Sequence, residues 1–317
     1  MIRFIAQRAV ESLVVLLVMS FVVYALIGLM PGDPIDIMLS GDPRMTPEDR
    51  ERLRALYGLH LPIWERYWNW LAAAFGGDFG YSRTSNRPVL ETMGPYLGRT
   101  ALLMGASFVL SVAIAIPLGL MAAVRQRRLA DYGINLFCFA GKSVPPFWLA
   151  LMLILVFAVE LRWFPAGGIE TVGDSGFVDR ARHLVLPVLC LTLLNLASVA
   201  RLMRAEAISA LRQDYVRTAR AKGLAEGRVI WGHAMRNALN PVVTVIALEF
   251  GTLFSGALIT ETVFAYPGMG KAIYDAILGN DYNLALVGLL FATLLVLVGN
   301  LAADLAYAIL DPRVSYR

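Results

Sequence analysis

Six long apolar runs constrain this chain more than anything else in it. Residues 9–30, 100–124, 134–160, 184–200, 238–264 and 284–310 carry at most two charged side chains each. A helix needs about 20 such residues to cross the roughly 30 Å hydrocarbon core of a bilayer. Composition agrees: of 317 residues, 58% are hydrophobic and 16% charged, where soluble domains carry about 25% charged. A soluble fold cannot hide that much apolar surface, because much of any folded exterior faces water. The expected fold is an all-α membrane protein with six transmembrane helices.

The run at 184–200 contains Pro187, and its apolar periodicity continues through Leu202, Met203, Ile208 and Leu211. That predicts a helix running on beyond the bilayer. The first run follows Arg3 and Arg8 and is too long for a signal-peptide core, and no A-x-A-like site follows it. It reads as a retained signal anchor. Residues 1–99 are then the anchor span plus an outer loop, 100–310 a five-span core containing an inner loop at 201–237, and 311–317 an inner tail.

Short-loop Lys and Arg set orientation. With the N-terminus inside, the inner segments hold Arg3, Arg8, Arg125, Arg127 and Arg128, eight basic residues in 201–237, and Arg313 and Arg317. The short outer loops, 161–183 and 265–283, hold only Arg162, Arg180, Arg182 and Lys271. Both termini are expected in the cytoplasm. In the long outer loop, Thr46, Pro47 and Asp49 predict a helix start and Gly58 its end. Ile63 to Phe75, with Trp64, Tyr67, Trp68 and Trp70, reads as an interfacial segment, with a docking face for a soluble partner as the other reading.

Within the spans, Ser107, Ser111, Ala115, Gly119 and Ala123 fall at every fourth position. Lipid gives helices little hydrophobic drive to associate, so small residues that permit close backbone approach mark a packing stripe. The sequence leaves open whether it packs within the chain or against another subunit. Ionisable groups in a bilayer are costly and are candidates for function. They are Glu249, Glu261, Lys142, beside the helix-disturbing Pro145-Pro146, and Asp304; Asn195 is the clearest uncharged polar group. A hydrated path for a polar solute would use them, and Asn195, Glu249 and Glu261 are the pathway candidates. Structural roles are the competing reading, above all for Lys142 and Asp304.

Several motif-like strings fail on inspection. Gly141-Lys142-Ser143 lacks the first glycine of a phosphate-binding loop, the position being Leu136. His60, His183 and His233 lie in separate loops, and Cys138 and Cys190 in separate apolar runs, so neither a zinc site nor a disulfide framework is expected. The chain reads as no enzyme, without cofactor or metal of its own. Energy for any work must come from a partner or an ion gradient.

The inner loop is the most informative segment. From Asp214 to Pro241 it reads DYVRTARAKGLAEGRVIWGHAMRNALNP. Asp214 to Lys222 predicts a short helix opened by an acid and closed by Gly223. A second helix is predicted from about Glu226 to Leu239, stopping before Pro241, which biases Asn240 away from helical geometry. An ordinary lipid-binding basic loop would explain the charge but not this helix–Gly–helix organisation.

This loop resembles the "EAA" loop of importer-type ABC permeases. Aligned on Gly223, Arg217, Thr218 and Ala219 fall at the E-A-A positions, and His233, Met235 and Arg236 at the I, L and P of the distal I-x-L-P. The general pattern is matched only at Ala219 and Gly223. The loop is more similar to the dipeptide, oligopeptide and nickel permease subfamily, whose version resembles DYVRTARAKGL followed by H-A-x-R-N-A-L. Pro31-Gly32-Asp33-Pro34, Pro145-Pro146-Phe147-Trp148 and Trp163-Phe164-Pro165-Ala166-Gly167 also look like that subfamily, as do Glu261 through Gly270 and Asp311-Pro312-Arg313. Together they cover nearly the whole chain.

The resemblance implies a type I ABC importer permease fold in the bacterial inner membrane, and a subunit forming half of a translocation pathway. It implies a second homologous permease, two cytoplasmic ATP-binding subunits that hold ATP and Mg, and an extracytoplasmic solute-binding protein. Residues 214–222 would be the coupling helix. On that basis the ATPase-coupling residues are Asp214, Tyr215, Arg217, Thr218, Ala219, Ala221, Lys222, Gly223, Leu224, His233, Arg236 and Asn237. Di- or oligopeptides are the expected cargo, with nickel chelates, glutathione or oligosaccharides open within the subfamily. A proton-driven secondary transporter with Glu249 as carrier is the reading from another class, but the inverted repeats expected there are not seen.

Overall fold

The computed structural model describes residues 2–29, 46, 48, 51–52, 55, 58–174 and 176–310, with the side chains of 2–5, 244, 247–256, 303 and 306–310 left outside the description. Pro31–Pro34, Pro47, Asp49, the 311–317 segment with Asp311-Pro312-Arg313, and the Glu249 side chain therefore lie outside the described residues. The described elements are helical. In chain order they are α1 (Ile2–Gly28), α2 (Ile63–Phe75), α3 (Val89–Val124), α4 (Leu129–Ser143) and α5 (Pro146–Leu153), which ends in a π-helical turn at Ile154–Glu160. Then come α6 (Phe177–Leu211), α7 (Asp214–Ala221), one helical turn at Glu226–Arg228 running through a π turn at Val229–Ala234 into α8 (Met235–Val263), α9 (Met269–Leu278) and α10 (Tyr282–Leu310).

Among the described residues, four helices are long and apolar enough to cross a bilayer: residues 6–28, α3, α6 and 282–302. The run expected as one span at 134–160 is instead α4 and α5, bent by 108° at the Ser143–Pro146 break; counted as one span, the pair makes five. The cause is local. Pro145 forces Val144 out of the helical region, to ψ 131°, and Pro146 restarts a helix as its first residue. The expected fifth span is covered by the 29-residue α8.

The expected stop before Pro241 does not occur, since α8 carries Pro241 inside it. Tertiary packing overrides the proline's preference: Ala238 and Val242 flank it and are fully enclosed against α6 residues such as Ala200 and Met203. As predicted, α6 runs on to Leu211, burying Met203, Ala207 and Ala210 along one face.

The chain forms two compact units, residues 1–98 with 268–294, and residues 99–267 with 295–317. In the first, α1 and α2 meet through an aromatic patch. The Tyr67 ring lies edge-on to Phe21 at 5.2 Å, and its hydroxyl is 2.7 Å from Ser20 Oγ. Trp64 and Trp68 face outward, and Gly58 has φ +64°. Val89 and Met93 are buried at the start of α3, which explains why that helix begins well before residue 100.

The same unit clamps the 80–84 turn onto the first turn of α10 through Asp281. Its carboxylate accepts hydrogen bonds from Ser82 Oγ at 2.6 Å, Thr84 Oγ1 at 2.7 Å and the Thr84 N–H at 3.0 Å. Its other oxygen accepts the Leu284 N–H at 3.3 Å, capping the helix. Burial pushes the carboxyl up, but the Ser82 and Thr84 hydrogen bonds outweigh it and hold the group below the usual aspartate range. A folded-state value depressed in this way stabilises the clamp at neutral pH. That contribution is lost as pH falls below about 3.9, the unfolded value. Asp281→Ala is expected to raise amide hydrogen exchange at Thr84 and Leu284 at pH 7, and unchanged protection at both would refute the clamp.

In the second unit, the small-residue stripe of α3 packs within the chain. Ser107, Ser111, Ala115 and Ala123 are buried, Thr192 Oγ1 donates to the Ser107 carbonyl, and Gly119 lies directly against α6 at Ala200 and Met203.

Candidate functional site

The segment from Asp214 to Asn237 hangs on the extension of α6. Helix α7 is amphipathic over two turns. Val216 and Ala219, three residues apart, are buried in the same cluster as Met203, Ala207, Ala210, Val229 and Ala234. Asp214, Tyr215, Arg217, Thr218, Ala221 and Lys222 remain exposed. Of the residues expected to couple, Ala219 thus belongs to the seat of the helix rather than its outer face. Val216 does as well, and it was not singled out in advance. The signal for it was present in the i, i+3 spacing of two apolar residues in an otherwise polar helix.

Gly223 has φ +76°, in the left-handed region where a Cβ is penalised. Its N–H donates to the Arg220 carbonyl at 2.9 Å, and the Leu224 N–H donates to the Ala219 carbonyl at 3.3 Å. This pair of bonds is a Schellman closure, and Leu224 packs on the cluster that holds Ala219, as such closures favour. Arg220 then grips Glu226 across the turn, with Nε and Nη2 donating to the two carboxylate oxygens at 3.1 and 2.6 Å. The Arg220 guanidinium holds the Glu226 carboxyl below its usual range. Both side chains are about half exposed, so the bond fixes geometry more than it adds stability.

Beyond the turn, Val229, Ala234, Ala238 and Val242 are buried. The step of five from Val229 to Ala234 coincides with the π turn. One extra residue in that turn keeps the apolar face on α6 after a register that an α-helix would rotate away. His233 is half-buried, while Arg236 and Asn237 are exposed and Asn237 Nδ2 donates to the His233 carbonyl. These three stand on the helix following the turn, apart from α7 in sequence but on the same folded segment.

An ion pair that the sequence reading missed ties the α6 extension, from which this segment hangs, to the start of α4. Arg204 of α6 donates from Nε and Nη2 to both oxygens of Asp131, at 2.6 and 2.7 Å. Asp131 also accepts the Arg127 N–H at 2.9 Å and Asn135 Nδ2 at 2.7 Å. The only hint was a lone acid following Arg125, Arg127 and Arg128.

The pathway candidates lie elsewhere. Asn195 is half-buried, its amide donating to the Leu191 carbonyl one turn back. Glu261 is fully enclosed and accepts from Thr100 Oγ1 at 2.6 Å. Glu249 occupies the middle of α8, its side chain outside the described residues. Lys142 is exposed, with Nζ 3.0 Å from Ser198 Oγ; Asp304 is half-buried. Two of the strings that carry the resemblance meet: a Cβ on Gly167 would lie 2.3 Å from the Phe264 carbonyl, and the Gly168 N–H donates to that same oxygen at 2.9 Å.

Residues 115–316 match the family described as binding-protein-dependent transport system inner membrane component. Residues 1–100 match its N-terminal counterpart. The chain is 39% identical, over the full length of both, to the oligopeptide transport system permease protein AppB of Bacillus subtilis. It is 38% identical over 99% of each chain to a putative peptide permease protein of Brucella ovis. It is 34% identical over the full length of both to the dipeptide transport system permease protein DppB of Escherichia coli. With a family match over most of its length and relatives along all of it, the chain belongs to the inner-membrane components of binding-protein-dependent transport systems.

Proposed function

We propose that the chain is the permease subunit of an ATP-dependent importer of di- or oligopeptides, with α7 as the element that couples it to ATP hydrolysis. What carries this reading is full-length similarity to relatives named for oligopeptide and dipeptide transport. In this reading a second, homologous permease completes the pathway. Two cytoplasmic ATP-binding subunits hold ATP and Mg, and an extracytoplasmic protein delivers the peptide. Asp214, Tyr215, Arg217, Thr218, Ala221, Lys222 and Gly223 offer the outer surface to an ATPase groove, and His233, Arg236 and Asn237 flank it. Ala219 and Leu224 fasten the helix to its base. A push on α7 is passed through Val216 and Ala219 into α6, whose 35 residues extend about 50 Å. Asn195, Glu249 and Glu261 are carried on the two long helices such a push would tilt.

The test is Gly223→Asp in the complete importer reconstituted in vesicles. A side chain at 223 meets nothing within 4 Å, so the fold tolerates it at the cost of about 1 kcal/mol for the positive φ. The expected result is continued ATP hydrolysis with dipeptide accumulation lowered about tenfold or more. Uptake at the unaltered rate would remove the coupling role of the turn. Failure of the unaltered importer to accumulate any di- or tripeptide would remove the cargo assignment.

A further inference from the structure

The seam between α4 and α6 carries two cations that the packing does not neutralise. The helices run antiparallel along it, since Asp131 meets Arg204 and Lys142 meets Ser198. At one end Arg204 is matched by the Asp131 carboxylate. Farther along, Lys142 makes one hydrogen bond, to the Ser198 hydroxyl at 3.0 Å, which leaves further ammonium N–H groups to donate. Arg201, one turn from Ser198, spends Nε on the Ala197 carbonyl at 3.3 Å. Both cationic side chains are exposed, and among the described residues neither is paired with a carboxylate.

Position makes this unusual. Lys142 stands eight residues inside the apolar run that begins at residue 134, about 12 Å along the helix axis. It sits at the break before Pro145, where α4 ends, against Ser198 near the inner end of the apolar run 184–200. A cation inside an apolar run favours an anionic partner over a lone hydroxyl, and an exposed one can exchange it.

We infer that Lys142 and Arg201 form a cationic station that takes the terminal carboxylate of the peptide during passage. This rests on the peptide reading above. The carboxylate is the negative charge that every unmodified peptide carries whatever its sequence. Ser198 positions the Lys142 ammonium, and Asn195, one turn back on α6, offers amide hydrogen bonding beside it.

The experiment uses the complete importer in vesicles, with trialanine and trialanine amide as probes. Each variant is scored as its uptake rate relative to the unaltered importer for the same peptide, so discrimination by the binding protein cancels. Lys142→Gln and Arg201→Gln are each expected to lower trialanine uptake about tenfold, one charge-assisted contact being lost. Uptake of the amide should be unchanged, and Lys142→Arg should keep most of the trialanine rate. Equal losses for the two peptides, or no loss for either, would overturn the inference and leave the peptide reading standing. If the unaltered importer accumulates neither probe, the peptide reading fails and this inference falls with it.

Discussion

Replacing Arg204 with Met is expected to destabilise the chain by about 3 kcal/mol, the lower end of the range for breaking a buried ion pair by removing one partner. The lower end applies because 27% of the Arg204 side chain still meets water, whereas Asp131 retains only 3%. The asymmetry gives an ordering. Arg204→Met strands an enclosed carboxylate with only the Arg127 N–H and the Asn135 amide as donors. Asp131→Asn leaves a guanidinium that still reaches solvent, and should cost less. The double variant should recover part of the loss, with a coupling energy on the order of 1–3 kcal/mol. Cys138, buried in the same seam, and Cys190 are the free thiols. With Cys190 replaced by Ser, heating with a maleimide dye therefore reads the opening of the seam at Cys138. If Arg204→Met melts with the unaltered protein, the pair carries no stability.

Much of the architecture was legible because hydropathy reports directly on the solvent a helix must face. The α6 extension is a good case: Met203, Ile208 and Leu211 continue the apolar period past the expected bilayer, and the helix follows them to Leu211. The turn at Gly223 was equally readable, since a left-handed residue after a charged helix selects glycine.

What failed to show was whatever depends on a partner distant in sequence. Pro145-Pro146 announced a disturbance, but nothing in a window of sequence distinguishes a kink from a 108° break. Pro241 obeyed its neighbours across the seam rather than its own preference, because Ala238 and Val242 are enclosed against α6. Asp131 and Arg204 stand 73 residues apart, so neither side chain alone revealed the pair. The candidate site divides in the same way. The exposed residues of α7 were identified by their order along the chain. Ala219 could be sorted from them, into the seat of the helix, only once the cluster beneath was visible.

The seam between α3 and α6 should be still less forgiving. A Cβ at Gly119 would stand 2.5 Å from the Ala200 carbonyl oxygen and 2.7 Å from Met203 Cβ. Two of these obstacles are main chain or its first side-chain atom, so no rotamer change relieves them and the helix axes must separate. Gly119→Ala is expected to cost about 1–3 kcal/mol. Gly119→Leu should leave no stably folded chain in detergent, because the buried Ala115 and Ala123, one turn either side, would lose contact as well. Gly105, on the same helix, provides the contrast: a Cβ there meets nothing within 4 Å. Gly105→Ala should be neutral or stabilising by up to about 1 kcal/mol, from helix propensity alone. The pair of variants separates a seam from a mere run of small residues. If both melt alike, the stripe is a free surface; if only Gly119→Ala falls, α6 is braced along α3, as the coupling proposed for α7 requires.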